Sequence, residues 1–155
     1  MDHEKYMRAA LELAREAAEN GEVPVGCVVA SPEGGIIGRG RNRREEGRDA
    51  TAHAEIEAIR AACAALGTWN LSGCTLFVTL EPCPMCAGAI INSRISTVVY
   101  GAKEPYSGSV GSVINLFEER YGHRPAVYGG VLRDECASLL SGFFGSLRGA
   151  NGRRG

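Results

Sequence analysis

Two short segments carry the residue types that could do chemistry together. One is Thr51-Ala52-His53-Ala54-Glu55 and the other is Glu81-Pro82-Cys83-Pro84-Met85-Cys86. Zinc accepts imidazole nitrogen and thiolate sulfur in a tetrahedral arrangement. Cys83 and Cys86 are spaced by one helical turn, so both sulfurs can meet one ion. A helix N-terminus carries unpaired N–H groups and partial positive charge, which favour thiolates. His53 would come from the start of a neighbouring helix.

That count is three protein ligands. A structural zinc usually takes four, commonly from two Cys-x-x-Cys knuckles, and this chain has a single such spacing. Three ligands leave one position for water, and lowering the pKa of that water is the reason to build such a site. Cys63, Cys74 and Cys136 have no spacing that makes any of them a fourth ligand. With Cys27 they read as small buried residues or inert thiols.

Glu55 follows His53 by two positions. In the first turn of a helix both side chains can reach an ion lying beyond the helix end. A carboxylate beside the metal's water, without being a ligand, is what a proton shuttle needs. A first-turn glutamate also favours the helix dipole, and alone it would mean no more than that. Beside His53, with the Cys-x-x-Cys downstream, the proton-transfer reading is the stronger one.

The elements that position these residues follow from periodicity. Residues 3–20 read as an amphipathic helix stopped by Asn20-Gly21. Val25–Ala30 and Ile36–Arg41 flank a Ser-Pro-Glu-Gly-Gly turn and read as a hairpin. Arg43–Asp49 is a polar loop. Helices are expected over Ala52–Leu66 and Pro82–Ser93, with strands at Thr75–Leu80 and Thr97–Gly101. Ala102–Ser112 reads as a loop. A short helix around Val113–Arg120, a short strand at Ala126–Tyr128 and a last helix over Arg133–Arg148 complete the order. Gly149–Gly155 reads as a flexible tail. Strands alternating with helices imply parallel pairing in the second half, so the expected α/β fold is a mixed five-stranded sheet with helices on both faces.

The chain has 155 residues, which fits one domain, placed here at residues 1–148. No apolar run approaches the ~20 residues that span a bilayer. Asp2, His3, Glu4 and Lys5 do not open a signal peptide, so a cytoplasmic location is expected. The net charge of −1 gives no global attraction for nucleic acid, and any phosphate contact must be local.

His-x-Glu followed by Pro-Cys-x-x-Cys is the signature of zinc nucleobase deaminases. Beyond it, Glu22–Gly26, Gly40–Arg43, Thr51–Ile56, Thr79–Ala89, Ser93–Ile95, Gly101–Lys103, Gly130–Leu132, Glu135-Cys136 and Leu139–Phe144 resemble the bacterial tRNA-specific adenosine deaminases over nearly the whole chain. The resemblance implies a cytidine-deaminase-like three-layer fold, one Zn2+ per chain, a homodimer, and a tRNA anticodon stem-loop as partner. It implies that Asn42 hydrogen-bonds the base, that Val25 lines the base pocket, and that the N–H groups of Ala54 and Cys83 are backbone donors. Glu104 stands where those enzymes usually have an aspartate near the ribose, and Phe144 ends the last matching stretch; both belong with the substrate contacts. Tyr106 occupies a position that is often basic, and the run after Phe144 has fewer basic residues. Lys103, Arg148, Arg153 and Arg154 remain candidates for phosphate contacts.

The expected reaction is hydrolysis of adenosine to inosine at the wobble position. A first alternative is a deaminase of a free base or nucleoside, of guanine or cytosine type. A second is a structural zinc or RNA-binding module without turnover.

Overall fold

The computed structural model describes the backbone of residues 1–152 and the side chains of residues 1–147. Helix α1 (His3–Glu19) begins at Asp2, whose carboxylate accepts the N–H of Lys5 at 3.2 Å. It buries Tyr6, Met7, Ala10, Leu11, Ala14 and Ala17 at helical spacing. Strands β1 (Gly26–Ala30) and β2 (Ile36–Arg41) form the expected antiparallel hairpin. Helix α2 (Ala54–Leu66) ends at Gly67, which takes the left-handed conformation at φ 68°. Strand β3 (Thr75–Leu80), helix α3 (Pro84–Ser93), strand β4 (Thr97–Ala102), strand β5 (Ala126–Tyr128) and helix α4 (Arg133–Gly152) follow.

The sheet order is β2-β1-β3-β4-β5. β1 pairs antiparallel with both β2 and β3, while β3, β4 and β5 run parallel. Strand periodicity divides the core between two faces. Val28, Ala30, Phe77 and Val99 pack with α1 and the start of α4. Cys27, Val29, Leu76, Val78, Val98 and Tyr100 pack with α2 and α3. The result is the three-layer arrangement expected from the sequence.

Four helices differ in extent from expectation. The two central helices start later, at Ala54 and Pro84. Pro84 disfavours helical backbone at the residue before it, and Cys83 is accordingly extended at ψ 175°. The short helix expected around Val113–Arg120 is only a 3-10 turn at Leu116–Glu118. Asn115 accepts the N–H of Phe117 and starts the turn there, leaving too short a run to propagate. Helix α4 continues beyond Arg148 to Gly152, into the stretch expected as tail. Residues 153–155 lie outside the described residues.

Gly38 and Gly40 let α2 settle closely on β2. A Cβ at Gly38 would lie 2.2 Å from the Ala58 carbonyl oxygen, and one at Gly40 2.2 Å from that of Ala54. The absence of side chains at these two positions fixes how near the start of α2 comes to the sheet.

Candidate active site

β3 and β4 end, β2 ends and β1 begins at the same edge of the sheet. In an α/β sheet that is the edge where ligand clefts form. Here the N-termini of α2 and α3 face each other. His53 and Cys83 are the residues immediately preceding the two helices, and Cys86 lies in the first turn of α3. The late helix starts matter for this reason: both ligand candidates have extended backbone, so their side chains turn toward the gap between the helix ends.

The His53 Nδ1 lies 3.6 Å from Cys83 Sγ and 3.6 Å from Cys86 Sγ. The three donor atoms all fall within 4.8 Å of one another. A tetrahedral ion with bonds of ~2.0 Å to nitrogen and ~2.3 Å to sulfur requires an N···S edge of about 3.6 Å. The donor set therefore fits zinc in both chemistry and spacing.

The charges fit as well. A hydrogen bond from the Cys86 thiol, with further help from His53, pulls Cys83 down to about 4. Cys86 is pushed far up, first by that same hydrogen bond and then by burial. The two sulfurs thus share one proton. His53 is raised, chiefly through its hydrogen bond with Cys83. The metal-free trio is a thiolate and a thiol beside an imidazole that holds its proton more tightly than usual, kept together in the geometry a cation would take over.

Glu55 is buried, with 4% of its surface exposed. Burial pushes its carboxyl up to about 7, and the negative charge on Cys83 adds to the rise. A carboxyl in that range can both take and give a proton near neutral pH.

These groups open onto a cavity of about 320 Å³. Val25, Asn42, His53, Glu55, Cys83, Glu104 and Phe144 all line it, so the fold brings together most of the residues singled out in the sequence. Val23, Arg44, Leu80, Glu81 and Ser107 line it too. A larger apolar groove of about 550 Å³ runs between α1 and α4, sharing no lining residue with this cavity.

Two of the expected substrate contacts, Ala54 and Glu104, also make hydrogen bonds within the chain. Ala54 does not line the cavity, and its N–H donates to Asn42 Oδ1 at 3.2 Å. As the first residue of α2 it has no helical partner for that N–H, and the Asn42 side chain supplies one. Glu104 stands at the wall, and its Oε1 accepts the N–H of Tyr106 at 2.8 Å, which closes a turn of its own loop. Lys103 is exposed and does not line the cavity. The side chains of Arg148, Arg153 and Arg154 lie outside the described residues.

Two buried acids escaped the sequence reading. The Glu81 carboxylate accepts the N–H groups of Glu104 at 3.1 Å, Val110 at 3.2 Å and Ser112 at 3.1 Å, and the Ser112 hydroxyl. It ties the loop after β4 to the end of β3. Glu22 does the same for the loop after β2, accepting the N–H groups of Glu45 at 3.0 Å and Glu46 at 2.7 Å. Gly108 lets the loop come this close: a Cβ there would lie 2.6 Å from Glu81 Oε1, a proximity that no spacing in the sequence reveals.

Residues 1–102 match the family described as the cytidine and deoxycytidylate deaminase zinc-binding region. This chain belongs to that family. It is a hydrolytic deaminase, and its cofactor is zinc. The deaminase is 51% identical over 146 residues to the tRNA-specific adenosine deaminase of Bacillus subtilis (strain 168), across 94% of this chain and 90% of that one. A solved structure from work on A-to-I editing by tRNA:A34 deaminases superposes with a TM-score of 0.84 at 47% identity, covering 88% of this chain and 99% of that chain. A guanine deaminase from Nitrosomonas europaea superposes with a TM-score of 0.74 at 31% identity, covering 90% and 83%. Among the described residues of this deaminase, no helix is long and apolar enough to cross a membrane.

Proposed function

We propose that this deaminase converts adenosine to inosine at the wobble position of a tRNA anticodon loop, with His53, Cys83 and Cys86 holding one zinc and Glu55 moving the protons. The observation that carries the reading is the buried Glu55 carboxyl lining the same cavity as His53 and Cys83. A structural zinc has no use for that acid, which argues against a binding module without turnover. Zinc, when bound, supplies the Lewis acidity that brings a water's pKa toward ~7. Glu55 takes the proton of the attacking water and delivers protons to the ring nitrogen and the departing amine. Adenosine and water become inosine and ammonia.

A cavity of about 320 Å³ suits one base with its sugar. The base must leave its stack to enter, which a single-stranded loop permits more cheaply than a duplex. Asn42 is the group placed to read the base edge; Val25 and Phe144 supply apolar wall, Glu104 borders the sugar side, and the Cys83 N–H supplies a backbone donor. Identity supports the RNA reading over the free-base one: 51% to a tRNA deaminase against 31% to the guanine deaminase.

The homodimer and the cytoplasmic location belong to the same proposal. An apolar groove of about 280 Å³ between α2 and α3, walled by Ile56, Ile59, Trp69 and Ala89, offers a second copy a face to cover. Light scattering on the purified chain measures the oligomer directly. The substrate test compares ammonia release from an adenosine-containing anticodon stem-loop with that from adenosine, guanine and cytosine. Turnover of the stem-loop is expected to dominate. Fast turnover of a free base, with none on the stem-loop, would overturn the RNA assignment and leave the zinc chemistry standing.

A further inference from the structure

The loop after β2 carries Arg43 and Arg44, separated by Asn42 from the buried Arg41, and the three are not equivalent. Arg41 is held by Glu16 at 3.4 Å and Glu46 at 3.0 Å. Arg43 pairs with Glu46 at 3.4 Å. Arg44 has a single, longer pairing, to its neighbour Glu45 at 3.7 Å, with both side chains mostly exposed. Such a pair in water contributes little and yields easily to a better anion. Among the described residues, Arg44 is the one lysine or arginine that lines the catalytic cavity.

A second, smaller cavity of about 190 Å³ lies beside the first and shares four walls with it: Val23, Asn42, Arg44 and Phe144. Arg44 therefore stands at the partition between the space for the reacting base and the space next to it. Its backbone is fixed there. The carbonyl of Arg44 accepts the N–H of Asp49 at 3.0 Å, and the next two N–H groups are held by buried Glu22. The N–H of Arg43 bonds the Ala52 carbonyl at 2.9 Å, one residue before His53. A cation whose backbone is anchored at both sides, whose tip is held only by the exposed Glu45 pair and which stands between two adjoining cavities has the geometry of a clamp for the anion that joins two nucleotides.

We propose that Arg44 binds a phosphodiester flanking the target nucleoside, so that this deaminase takes its base from within a strand. The inference rests on the RNA reading above and sharpens it: the substrate must carry a phosphate next to the reacting base. A guanidinium fork matches two phosphate oxygens at once; of the acids in the adjoining space, Glu22 is committed to the N–H groups of Glu45 and Glu46, and Glu45 is the exposed partner a phosphate would displace. The same guanidinium could meet the phosphate of a free nucleotide, so the test separates the two sources.

The experiment measures affinity of the zinc-loaded Glu55→Ala protein, which holds substrate without consuming it, for an adenosine-containing anticodon stem-loop. Arg44→Ala in that background is expected to weaken binding roughly tenfold, the loss of one charged hydrogen-bonded contact. The dependence of log affinity on log salt should become shallower by about 0.7, one phosphate on a single strand. Arg43→Ala, whose charge is already paired with Glu46, should stay within about twofold. A neutral methylphosphonate at the phosphate on either side of the adenosine locates the partner: at one side it should cost the protein that keeps Arg44 about tenfold and the Arg44→Ala protein nothing more. Unchanged affinity and salt slope in Arg44→Ala, or additive losses at both phosphates, would overturn the proposal. Tight, Arg44-dependent binding of adenosine monophosphate with none of the stem-loop would overturn it in favour of a free nucleotide, and would sink the RNA reading too. Stem-loop turnover by the wild-type chain that is indifferent to Arg44 sinks this inference alone.

Discussion

Asn42 Oδ1 holds the N–H of Ala54 at 3.2 Å, and Ala54 sits between the ligand candidate His53 and the proton carrier Glu55. The Asn42 Nδ2 is anchored on the Val23 carbonyl at 3.2 Å. One side chain thus spans from the wall of the cavity to the first turn of α2. Asn42→Ala should therefore do two things at once. Substrate affinity should fall, and kcat should fall with it, because the first residue of α2 loses its partner. A loss of about 1–2 kcal/mol in folding stability is expected from the orphaned N–H. Steady-state kinetics and a melting curve check the pair of effects; a rise in KM alone would show that the tie to Ala54 is immaterial.

Glu55→Gln should retain fold and zinc while losing turnover by ~10²–10⁴-fold or more. The same variant should be the more stable one in alkaline, metal-free solution. The folded carboxyl stands at about 7 against an ordinary value of 4.5, so the folded state binds the proton more tightly. Stability from this group is complete below about 4.5 and is lost as pH rises through 7. Above that range the loss approaches about 3 kcal/mol on an order-of-magnitude scale. Melting of the zinc-free proteins under mildly acidic and mildly alkaline conditions tests this: the gap between variant and wild type should widen with pH.

Zinc uptake should release protons. Near neutral pH the metal-free site keeps a proton on Cys86 and a raised His53, while Cys83 is already a thiolate. A bound ion needs all three donors unprotonated, so apparent affinity should rise with pH and roughly one to two protons should appear per zinc. Calorimetry in buffers of different ionisation heat counts them. Cys83→Ala should lose both metal and activity.

Glu81→Gln should loosen the loop after β4 without touching the metal. Three backbone N–H groups and a hydroxyl converge on that carboxylate, and an amide offers them a weaker acceptor and two unwanted donors. Zinc content should stay at about one per chain, stability should fall by about 1–3 kcal/mol, and kcat/KM should drop because Glu104 and Ser107 line the cavity from this loop. Full activity with normal melting would show that the loop holds itself.

Gly40→Ala should be felt at the metal although residue 40 lies outside the site. The added Cβ would stand 2.2 Å from the Ala54 carbonyl oxygen, which is backbone and cannot swing aside. Helix α2 must shift, carrying His53 and Glu55 with it. A destabilisation of about 1–3 kcal/mol and weaker zinc binding are expected. Gly35→Ala, whose Cβ would be 3.8 Å from its nearest neighbour, Ser31 Oγ, serves as the quiet control in melting and zinc titration.

The sequence by itself settled the parts whose physics is local. A 3.6-residue period, a two-residue alternation and the capping residues around them placed the four α-helices and five strands of the described residues, because these depend on near neighbours in the chain. The spacing of Cys83 and Cys86 picked out a metal pair, because one helical turn brings them together whatever the rest does. Only the tertiary structure decided what depends on packing. That His53 Nδ1 stands 3.6 Å from both sulfurs follows from α2 lying close on Gly38 and Gly40, which no periodicity reveals. That Ala54 gives its N–H to Asn42, and that Glu22 and Glu81 brace the two loops, follows from buried polar groups finding partners far along the chain. Arg44 looked like one charge in a solvated loop until the fold turned that loop into the wall between two cavities.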